Sequence, residues 1–284
     1  MSPPVILITG ATSGIGRAAA VELARQGAHL VIHGRSRWKV ARTVQMVAKH
    51  ASGAPVEGVT ADLAVRRDVE SLATELYARF PRLDVVIHNA AIVTSRREVT
   101  VDGHEKQLAV NHLAPFLLTY RLLPLLKRSA PARIVVVASQ LEREGQFDFD
   151  DLHSARSYDA NRVYSTTKLA NVLFAAELAR RLQGTAVTAN SLHPGIAGTN
   201  VLNALVGRPR WQAPWTRYSQ PAPIGATATI VRVSLDPALA GVSGAYFRDE
   251  VVSEPSDQAQ SATLARRLWE DSAEMLGLPR SFPV

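Results

Sequence analysis

"TGATSGIG" (residues 9–16) follows the apolar run "VILIT" (5–9) and leads straight into a helical pattern. Its glycines, Gly10, Gly14 and Gly16, permit a tight turn and a close approach of the backbone to a phosphate, and the helix N-terminus offers N–H groups to the anion. The spacing departs from G-x-G-x-x-G, and no Gly-Lys-Ser/Thr follows to indicate a P-loop. The stretch therefore predicts a strand, a turn and a helix, with the turn serving either as a phosphate cradle or only for packing.

The rest of the chain alternates short apolar runs with helical periodicity. Strands are predicted at 5–9, 29–33, 56–60, 84–88, 133–139, 186–192 and 244–247. Helices are predicted near 15–26, 37–50, 66–80, 103–129, 160–183, 223–235 and 257–275. Strands that are apolar throughout and separated by helices imply a mostly parallel sheet covered on both faces. We therefore expect a single doubly wound α/β domain over residues 1–284, with seven strands.

The composition of the chain limits its expected location and the kinds of partner that it can bind. The chain has no cysteine, which excludes disulfides and thiolate chemistry and removes the need for an oxidising compartment. Only "MSPP" precedes the first apolar residue, Val5, and no apolar run approaches the roughly 20 residues of a membrane span, so a cytoplasmic location is expected. The net charge of +7 comes from scattered basic pairs, which favours a solvated surface over a nucleic-acid partner. No pair of the eight histidines lies at metal-ligand spacing on a predicted helix, and no finger-like motif is present, so no metal site is expected.

The second strand ends in "HGRSRWK" (33–39), which bears on the choice of cofactor. A cofactor with a free ribose 2′-hydroxyl is usually held by an acidic residue about 20 positions past the glycines. Arg35 and Ser36 stand there instead, and a guanidinium can bind a 2′-phosphate in bidentate fashion. The region favours NADP(H) over NAD(H), with a solvated basic turn as the alternative.

Polar residues also follow the third and fourth strands. Asp62, in "TADLA", could accept a hydrogen bond from an adenine amino group or cap the helix that starts near Val65. Asn89 lies in "HNAAI", where small neighbours would let a cofactor lie flat against the backbone, although an ordinary turn explains the residues equally well. Ligands of doubly wound folds bind beyond the carboxyl ends of strands, where all these residues lie.

Tyr164 and Lys168 form the pattern "YSTTK" inside a predicted helix. Four positions apart, both side chains lie on one face, one turn apart. A phenol with an ordinary pKa near 10 needs about 4 kcal/mol of stabilisation to ionise near neutral pH, and an ammonium about 4 Å away supplies a similar amount. Ser139, which ends the fifth strand, could bind the same substrate oxygen. The three residues are candidates for proton transfer to a carbonyl or from an alcohol.

Taken together, these motifs resemble the short-chain dehydrogenase/reductase family over roughly residues 5–250, and the resemblance implies a Rossmann fold. The family's T-G-x3-G-x-G falls on residues 9–16 and its P-G-x3-T on residues 194–199. The catalytic residues carried over from the family are Asn111, Ser139, Tyr164 and Lys168. The cofactor-binding residues implied are Gly10, Ser13, Gly14, Ile15, Gly16, Arg35, Ser36, Asp62, Leu63, Asn89, Ala90, Tyr164, Lys168, Pro194, Gly195 and Thr199. One departure is "HNAA", with His88 and Ala91 where the family has N-N-A-G.

The resemblance also implies a mechanism. Hydride would pass between nicotinamide C4 and a carbonyl or carbinol carbon, with Tyr164 as the general acid or base. Lys168 would lower the pKa of Tyr164 and hold the nicotinamide ribose, while Asn111 would order a water that relays protons from Lys168. A structural role is favoured over catalysis for His193, which precedes the proline turn. A catalytically inactive NADP-binding sensor or scaffold is the rival, but such proteins usually lose the tyrosine or the lysine.

The spacing between Ser139 and Tyr164 is longer than is common in this family. The insert "EREGQFDFDDLHSARSYDANR" (142–162), followed by "KLANVLFAAELARRLQGTAVTANSLHPG" (168–195), most resembles the retinol dehydrogenase and protochlorophyllide reductase branch, whose members mostly use NADP(H) on bulky apolar carbonyls or alcohols. Residues 196–224 are rich in apolar and aromatic side chains, which are costly to leave in water. We expect this segment to form a lid over a bulky, largely apolar small-molecule substrate. The alternative is that this segment packs against a neighbouring subunit of a homo-oligomer. For the function, an NAD-dependent alcohol dehydrogenase of the same family remains an alternative.

Overall fold

The computed structural model describes residues 2–195 and 224–281. Its strands are β1 (Val5–Ile8), β2 (His29–Gly34), β3 (Val56–Thr60), β4 (Val85–His88), β5 (Ala132–Val137), β6 (Val187–His193), β7 (Tyr246–Arg248) and β8 (Val251–Ser253). They form one sheet in the order β3-β2-β1-β4-β5-β6-β7-β8. Every pairing is parallel except that of β7 with β8. The doubly wound α/β architecture predicted from the sequence is confirmed.

The helices lie on both faces of the sheet. They are α1 (Gly14–Arg25), α2 (Arg37–Ala48), α3 (Arg66–Arg79), α4 (Lys106–Leu108), α5 (Ala114–Ser129), α6 (Ala160–Arg181), α7 (Ile224–Leu235) and α8 (Ala262–Met275). On one face α1 packs against α7, and on the other α3 packs against α5 and α8 against α6. Among the described residues, no helix combines the length and the apolar character that crossing a bilayer requires.

Burial on both faces of the sheet explains why the sequence of β1 is apolar throughout. All four of its side chains are buried. Successive side chains of a strand point to opposite faces, so Val5 and Leu7 join the core beneath α3 and α5, whereas Ile6 and Ile8 join the core beneath α1. A strand covered on both faces has no polar alternation, which is why apolar runs marked the central strands.

The eighth strand is absent from the sequence prediction. It has three residues, and Val251 and Val252 are exposed, so its pattern differs from that of a buried strand. The hairpin that joins it to β7 uses Asp249 and Glu250 in left-handed conformations, with φ of +49° and +67°. Neither residue is glycine or asparagine, so the sequence lacks the usual marker of a tight hairpin turn.

The single helix predicted over 103–129 is also corrected. The chain forms the short α4, then a π-helical turn over Ala109–Leu113, then α5. The buried Glu105 begins this series, because its carboxylate accepts the N–H of Leu108 at 2.7 Å. Insertions of the π type break the regular pairing of backbone groups and are common at functional sites.

The predicted lid at 196–224 lies, apart from its last residue, outside the described residues, and so does Thr199. The sheet, the glycine turn and α6 are all described. They place the predicted residues that follow β1 to β6 at the carboxyl edge of the parallel strands, and Asn111, Tyr164 and Lys168 on helical segments.

Candidate active site

The glycine turn between β1 and α1 is shaped by steric limits. Gly10 and Gly14 have φ of +65° and +56°, in the left-handed region that favours glycine. A Cβ on Gly10 would lie 2.7 Å from Cα of Ala90, and one on Gly16 would lie 2.3 Å from Nδ2 of Asn89. Side chains at these positions would therefore collide with the segment that follows β4. The turn leaves an open cradle at the start of α1, where Ser13 is the N-cap and makes no side-chain capping bond.

Asn89 joins the ends of β1 and β4. Its Nδ2 donates to the carbonyl oxygens of Thr9 at 2.8 Å and Gly10 at 3.4 Å. In return, the backbone N–H groups of Asn89 and Ala90 donate to Oγ1 of Thr9 at 3.0 and 3.1 Å. These reciprocal bonds give Asn89 a specific role beyond that of an ordinary turn residue. They hold the segment after β4 as a shelf beside the glycine turn.

The predicted adenosine-side residues lie together at the ends of β2 and β3. The side chain of Arg35 is 70% exposed, and its Nη1 lies 4.0 Å from Oδ2 of Asp62. Ser36 is the N-cap of α2. Oδ1 of Asp62 accepts the N–H of Ala64 at 3.0 Å, whereas the N-cap of α3 is Val65. Asp62 therefore stabilises the turn before α3 rather than capping the helix.

Tyr164 and Lys168 lie one turn apart on α6, and both side chains are buried. Nζ of Lys168 donates to the carbonyl oxygen of Val137 at 2.9 Å. The same atom lies 5.5 Å from the centroid of the Tyr164 ring. Val137 ends β5, two residues before Ser139, so α6 presents both side chains to the strand end that carries the serine. Lys168 is thus held at the strand end that leads to Ser139, with the Tyr164 ring beside it.

Burial favours the uncharged form of both groups. It lowers the pKa of Lys168 to about 7 and raises the pKa of Tyr164 above its ordinary value. The sequence argument expected a lowered tyrosine pKa from an ammonium about 4 Å away. In this structure desolvation is the dominant cause, and Tyr164 is a protonated acid at neutral pH.

Ser139 lies at the start of a 3-10 turn over Gln140–Glu144. Its Oγ accepts the N–H of Leu141 at 3.3 Å, which uses an oxygen lone pair and leaves the hydroxyl hydrogen to donate to a substrate oxygen. His193, at the end of β6, accepts the N–H of Gln140 through Nδ1 at 3.1 Å. This contact agrees with the structural role favoured for His193, because it holds the backbone beside Ser139.

Asn111 lies in the π-helical turn, and its side chain is engaged with protein groups. Oδ1 accepts the N–H of Ile92 at 2.8 Å, while Nδ2 donates to the carbonyl of Ile92 at 3.0 Å and to Oγ1 of Thr167 at 3.1 Å. Asn111 therefore connects the shelf after β4 to the residue beside Lys168. A water ordered by Asn111 would have to use its backbone carbonyl or the second lone pair of Oδ1.

Two contacts near the site were not predicted from the sequence. Glu142, in the turn after Ser139, is fully buried, and its carboxylate accepts the N–H and the hydroxyl of Ser256 at 2.9 and 2.5 Å. Arg143 donates to the carbonyl of Glu254 at 2.6 Å. An acidic residue in a polar loop gives no signal of burial, and its partner lies 114 positions away.

The sequence model of one family, described as short chain dehydrogenase, matches residues 4–208. Human retinol dehydrogenase 14 is 42% identical over 296 residues, with 98% of this chain and 88% of that protein covered. The chain belongs to the short-chain dehydrogenase family and resembles its retinol dehydrogenases.

Solved structures agree with this placement. An uncharacterized protein from Mycobacterium paratuberculosis superposes with a TM-score of 0.78 at 30% identity, covering 99% of this chain and 97% of that one. A protein assigned as an NAD(P)-dependent gluconate 5-dehydrogenase from Beutenbergia cavernae, with NADP bound at low occupancy, superposes with a TM-score of 0.68 at 29% identity, covering 88% and 96% of the two chains. The family match makes this chain an oxidoreductase of the short-chain dehydrogenase type.

Proposed function

We propose that this short-chain dehydrogenase is an NADP(H)-dependent oxidoreductase that acts on a bulky, largely apolar carbonyl or alcohol. The observation that carries the proposal is the burial of Tyr164 and Lys168 beside the end of β5, with Nζ of Lys168 bound to the Val137 carbonyl. A buried lysine is costly to maintain for stability alone. Its position next to a buried tyrosine and a serine supports a catalytic use of all three residues, and disfavours the alternative of a non-catalytic sensor or scaffold.

The residues present fit a nicotinamide dinucleotide. A Cβ on Gly10 or Gly16 would collide with Ala90 or Asn89, and Gly14 has a left-handed φ, so the turn depends on its glycines. It leads into the N-terminus of α1, where phosphate groups bind well. The residues that would hold the dinucleotide are Gly10, Ser13, Gly14, Ile15, Gly16, Arg35, Ser36, Asp62, Leu63, Asn89, Ala90, Tyr164, Lys168, Pro194 and Gly195, with Thr199 added from the sequence. When bound, the nicotinamide supplies or accepts the hydride.

The side chains on α6 would move the proton. In reduction, Tyr164 donates its hydroxyl proton to the carbonyl oxygen of the substrate, and its raised pKa keeps that proton in place at neutral pH. Ser139 donates a hydrogen bond to the same oxygen. Lys168, with a pKa near 7, can then pass a proton toward the tyrosinate without large cost. In oxidation each step runs in reverse, with Tyr164 as the base.

The choice of NADP(H) rests on the end of β2. Arg35 is exposed, and its ion pair with the half-buried Asp62 spans 4.0 Å, so the pair contributes little and does not prevent Arg35 from binding a 2′-phosphate. The N-terminus of α2, capped by Ser36, adds a favourable dipole for an anion. The Beutenbergia cavernae relative holds NADP, which supports the same choice here.

We expect the wild-type protein to bind NADPH more tightly than NADH, and Arg35→Asp to reverse that order. The new carboxylate would repel the 2′-phosphate and could accept hydrogen bonds from a ribose 2′-hydroxyl. Calorimetric titration of both proteins with both cofactors measures the change. Arg42→Asp, on α2 and about two turns from the end of β2, is the control for a general loss of positive charge. Equal affinities in the wild type, or an unchanged preference in Arg35→Asp, would refute this assignment.

The apolar substrate rests on the retinol dehydrogenase relatives and on the apolar sequence of residues 196–224, which lie, apart from the last, outside the described residues. A retinol dehydrogenase is 42% identical, whereas the gluconate 5-dehydrogenase relative is 29% identical and acts on a polar compound by its name. We give the closer relative more weight. The expected cytoplasmic location stays a prediction, as do the domain limits and a homo-oligomer.

A substrate panel tests this class. We expect kcat/KM for polyene, long-chain or polycyclic aldehydes, ketones and alcohols to exceed that for sugars and small hydroxy acids by at least about tenfold, because each buried methylene adds about 0.8 kcal/mol of binding free energy. Initial rates are measured with each of NADPH, NADH, NADP⁺ and NAD⁺. Highest activity on sugars or hydroxy acids would overturn the apolar substrate, and activity with NAD(H) alone would favour the alternative of an NAD-dependent alcohol dehydrogenase.

A further inference from the structure

His33 lies at the end of β2 and is 2% exposed, although no step of the proposed reaction uses it. Its Nδ1 faces the N–H of Gly10 at 3.3 Å, and its Nε2 lies 3.2 Å from the carbonyl oxygen of Ala61. The backbone carbonyl of the same residue accepts the N–H of Ala11 at 3.0 Å. One buried imidazole therefore joins the glycine turn after β1 to the segment after β3.

The two partners fix the form of the ring. Gly10 offers a donor, so Nδ1 must accept, and Ala61 offers an acceptor, so Nε2 must carry the hydrogen. A doubly protonated ring would place two donors face to face at Gly10. Burial lowers the pKa of His33 to about 4, so the single tautomer that fits both partners is the form present at neutral pH.

These bonds act on the part of the molecule that would receive the cofactor. Gly10 is held on both sides, because His33 binds its N–H and Asn89 approaches its carbonyl at 3.4 Å. Ala61 directly precedes Asp62, which lies beside Arg35. The glycine turn and the adenosine-side segment are thus fixed relative to each other before any ligand arrives. A preformed site binds more tightly, since no segment has to be ordered on binding.

We propose that His33 is a positioning residue for the dinucleotide site, and that its bond to Gly10 keeps the glycine turn in its ligand-binding conformation. The proposal rests on the proposed use of a nicotinamide dinucleotide. Because His33 acts through the backbone at Gly10, it affects cofactor affinity and leaves the hydride and proton steps alone.

Two variants separate the two bonds. In His33→Asn the side-chain oxygen stands as many bonds from Cα as Nδ1 does, so it can accept the Gly10 N–H but cannot reach Ala61. In His33→Gln the terminal amide lies near the position of Nε2, so it can donate to Ala61 but leaves Gly10 without an acceptor. His33→Ala removes both bonds. Asn190→Ala is the matched control. Asn190 is a buried residue of β6 whose side chain likewise accepts a backbone N–H, from Ala245, and donates to a backbone carbonyl, at Val242.

The experiment is calorimetric titration of each variant with NADPH and with NADH, together with steady-state kinetics at saturating cofactor. We expect Kd to rise about tenfold in His33→Ala and His33→Gln, as the loss of one hydrogen bond implies, and to stay within about threefold of wild type in His33→Asn. Asn190→Ala should lower the melting temperature and leave Kd unchanged. We expect kcat and the substrate KM to remain at wild-type values in all His33 variants.

The outcomes separate this inference from the function on which it rests. If the wild-type protein binds neither dinucleotide, both are overturned. If it binds one of them and His33→Asn and His33→Gln bind it as tightly as wild type does, only the role of His33 is overturned. A fall in kcat with unchanged Kd would also overturn it. If His33→Ala does not fold, the comparison of the asparagine and glutamine variants still decides.

Discussion

Tyr164→Phe is expected to lower turnover by about 10²–10⁴-fold, the usual contribution of a positioned acid, while dinucleotide affinity stays within about threefold of wild type. Phenylalanine keeps the buried ring, so the packing of α6 survives and only the transferable proton is lost. Steady-state kinetics with the best substrate, alongside calorimetric titration with NADPH, measures both quantities. The result would assign proton transfer to this hydroxyl.

Tyr158→Phe is the matched control for that change. This half-buried tyrosine lies six positions earlier, and its hydroxyl lies 2.6 Å from both Oγ1 of Thr94 and Nε2 of Gln107. Its loss should lower stability and leave most of the turnover intact. Retention of more than about a tenth of the wild-type rate in Tyr164→Phe would contradict the role of Tyr164 and point to another acid.

Lys168→Met is expected to lower turnover by a similar factor of about 10²–10⁴ and, at the same time, to stabilise the fold. In the wild type, burial holds the pKa of Lys168 near 7, against an ordinary value of 10.5. Below about pH 7 the amine is charged in both the folded and the unfolded chain, so the folded state carries the whole desolvation cost. As the pH rises from 7 to 10.5 the folded protein releases the proton first, and stability increases because the unfolded state binds more protons. Above 10.5 the cost is gone.

The stability gain of Lys168→Met should therefore be largest below pH 7 and should shrink through the window from pH 7 to 10.5. We expect a gain of about 1–4 kcal/mol at pH 6, since each pKa unit corresponds to about 1.4 kcal/mol. Chemical denaturation at pH 6, 8 and 10 without cofactor measures it. Lys106→Met is the control, because Lys106 pairs with Glu98 near the surface at 2.7 Å and such a pair contributes little. A variant less stable than wild type at pH 6 would contradict the argument.

The fold was predictable because its main signals are local. The glycines of residues 9–16 and the apolar central strands identify a doubly wound sheet without any long-range information. The eighth strand and the break in the helix at 103–129 escaped prediction for the opposite reason. Val251 and Val252 form a strand only by pairing with β7, and the π-helical turn at Asn111 is accompanied by side-chain contacts to Ile92 and Thr167. Propensity and periodicity report neither kind of interaction.

The relative placement of Tyr164 and Lys168 was predictable from the sequence, but their electrostatics were not. Spacing on a helix places Tyr164 and Lys168 on one face, and α6 shows that placement. Spacing does not report how much water reaches the pair, and here burial raises the pKa of the tyrosine where proximity to a charge was expected to lower it. His33 and Glu142 carried no signal, since both act through partners distant in the sequence.

The bond between Glu142 and Ser256 bears on the order in which the protein matures during synthesis. Chains emerge from the ribosome N-terminus first, and the glycine turn, β1 to β6 and α6 all precede residue 195. Glu142 cannot bury its carboxylate with both donors present until Ser256 has emerged, 114 positions later. The turn that carries Ser139 is thus completed almost last. The glycine turn and its flanking strands emerge early, whereas the turn that carries Ser139 gains its last partner only when translation is nearly over.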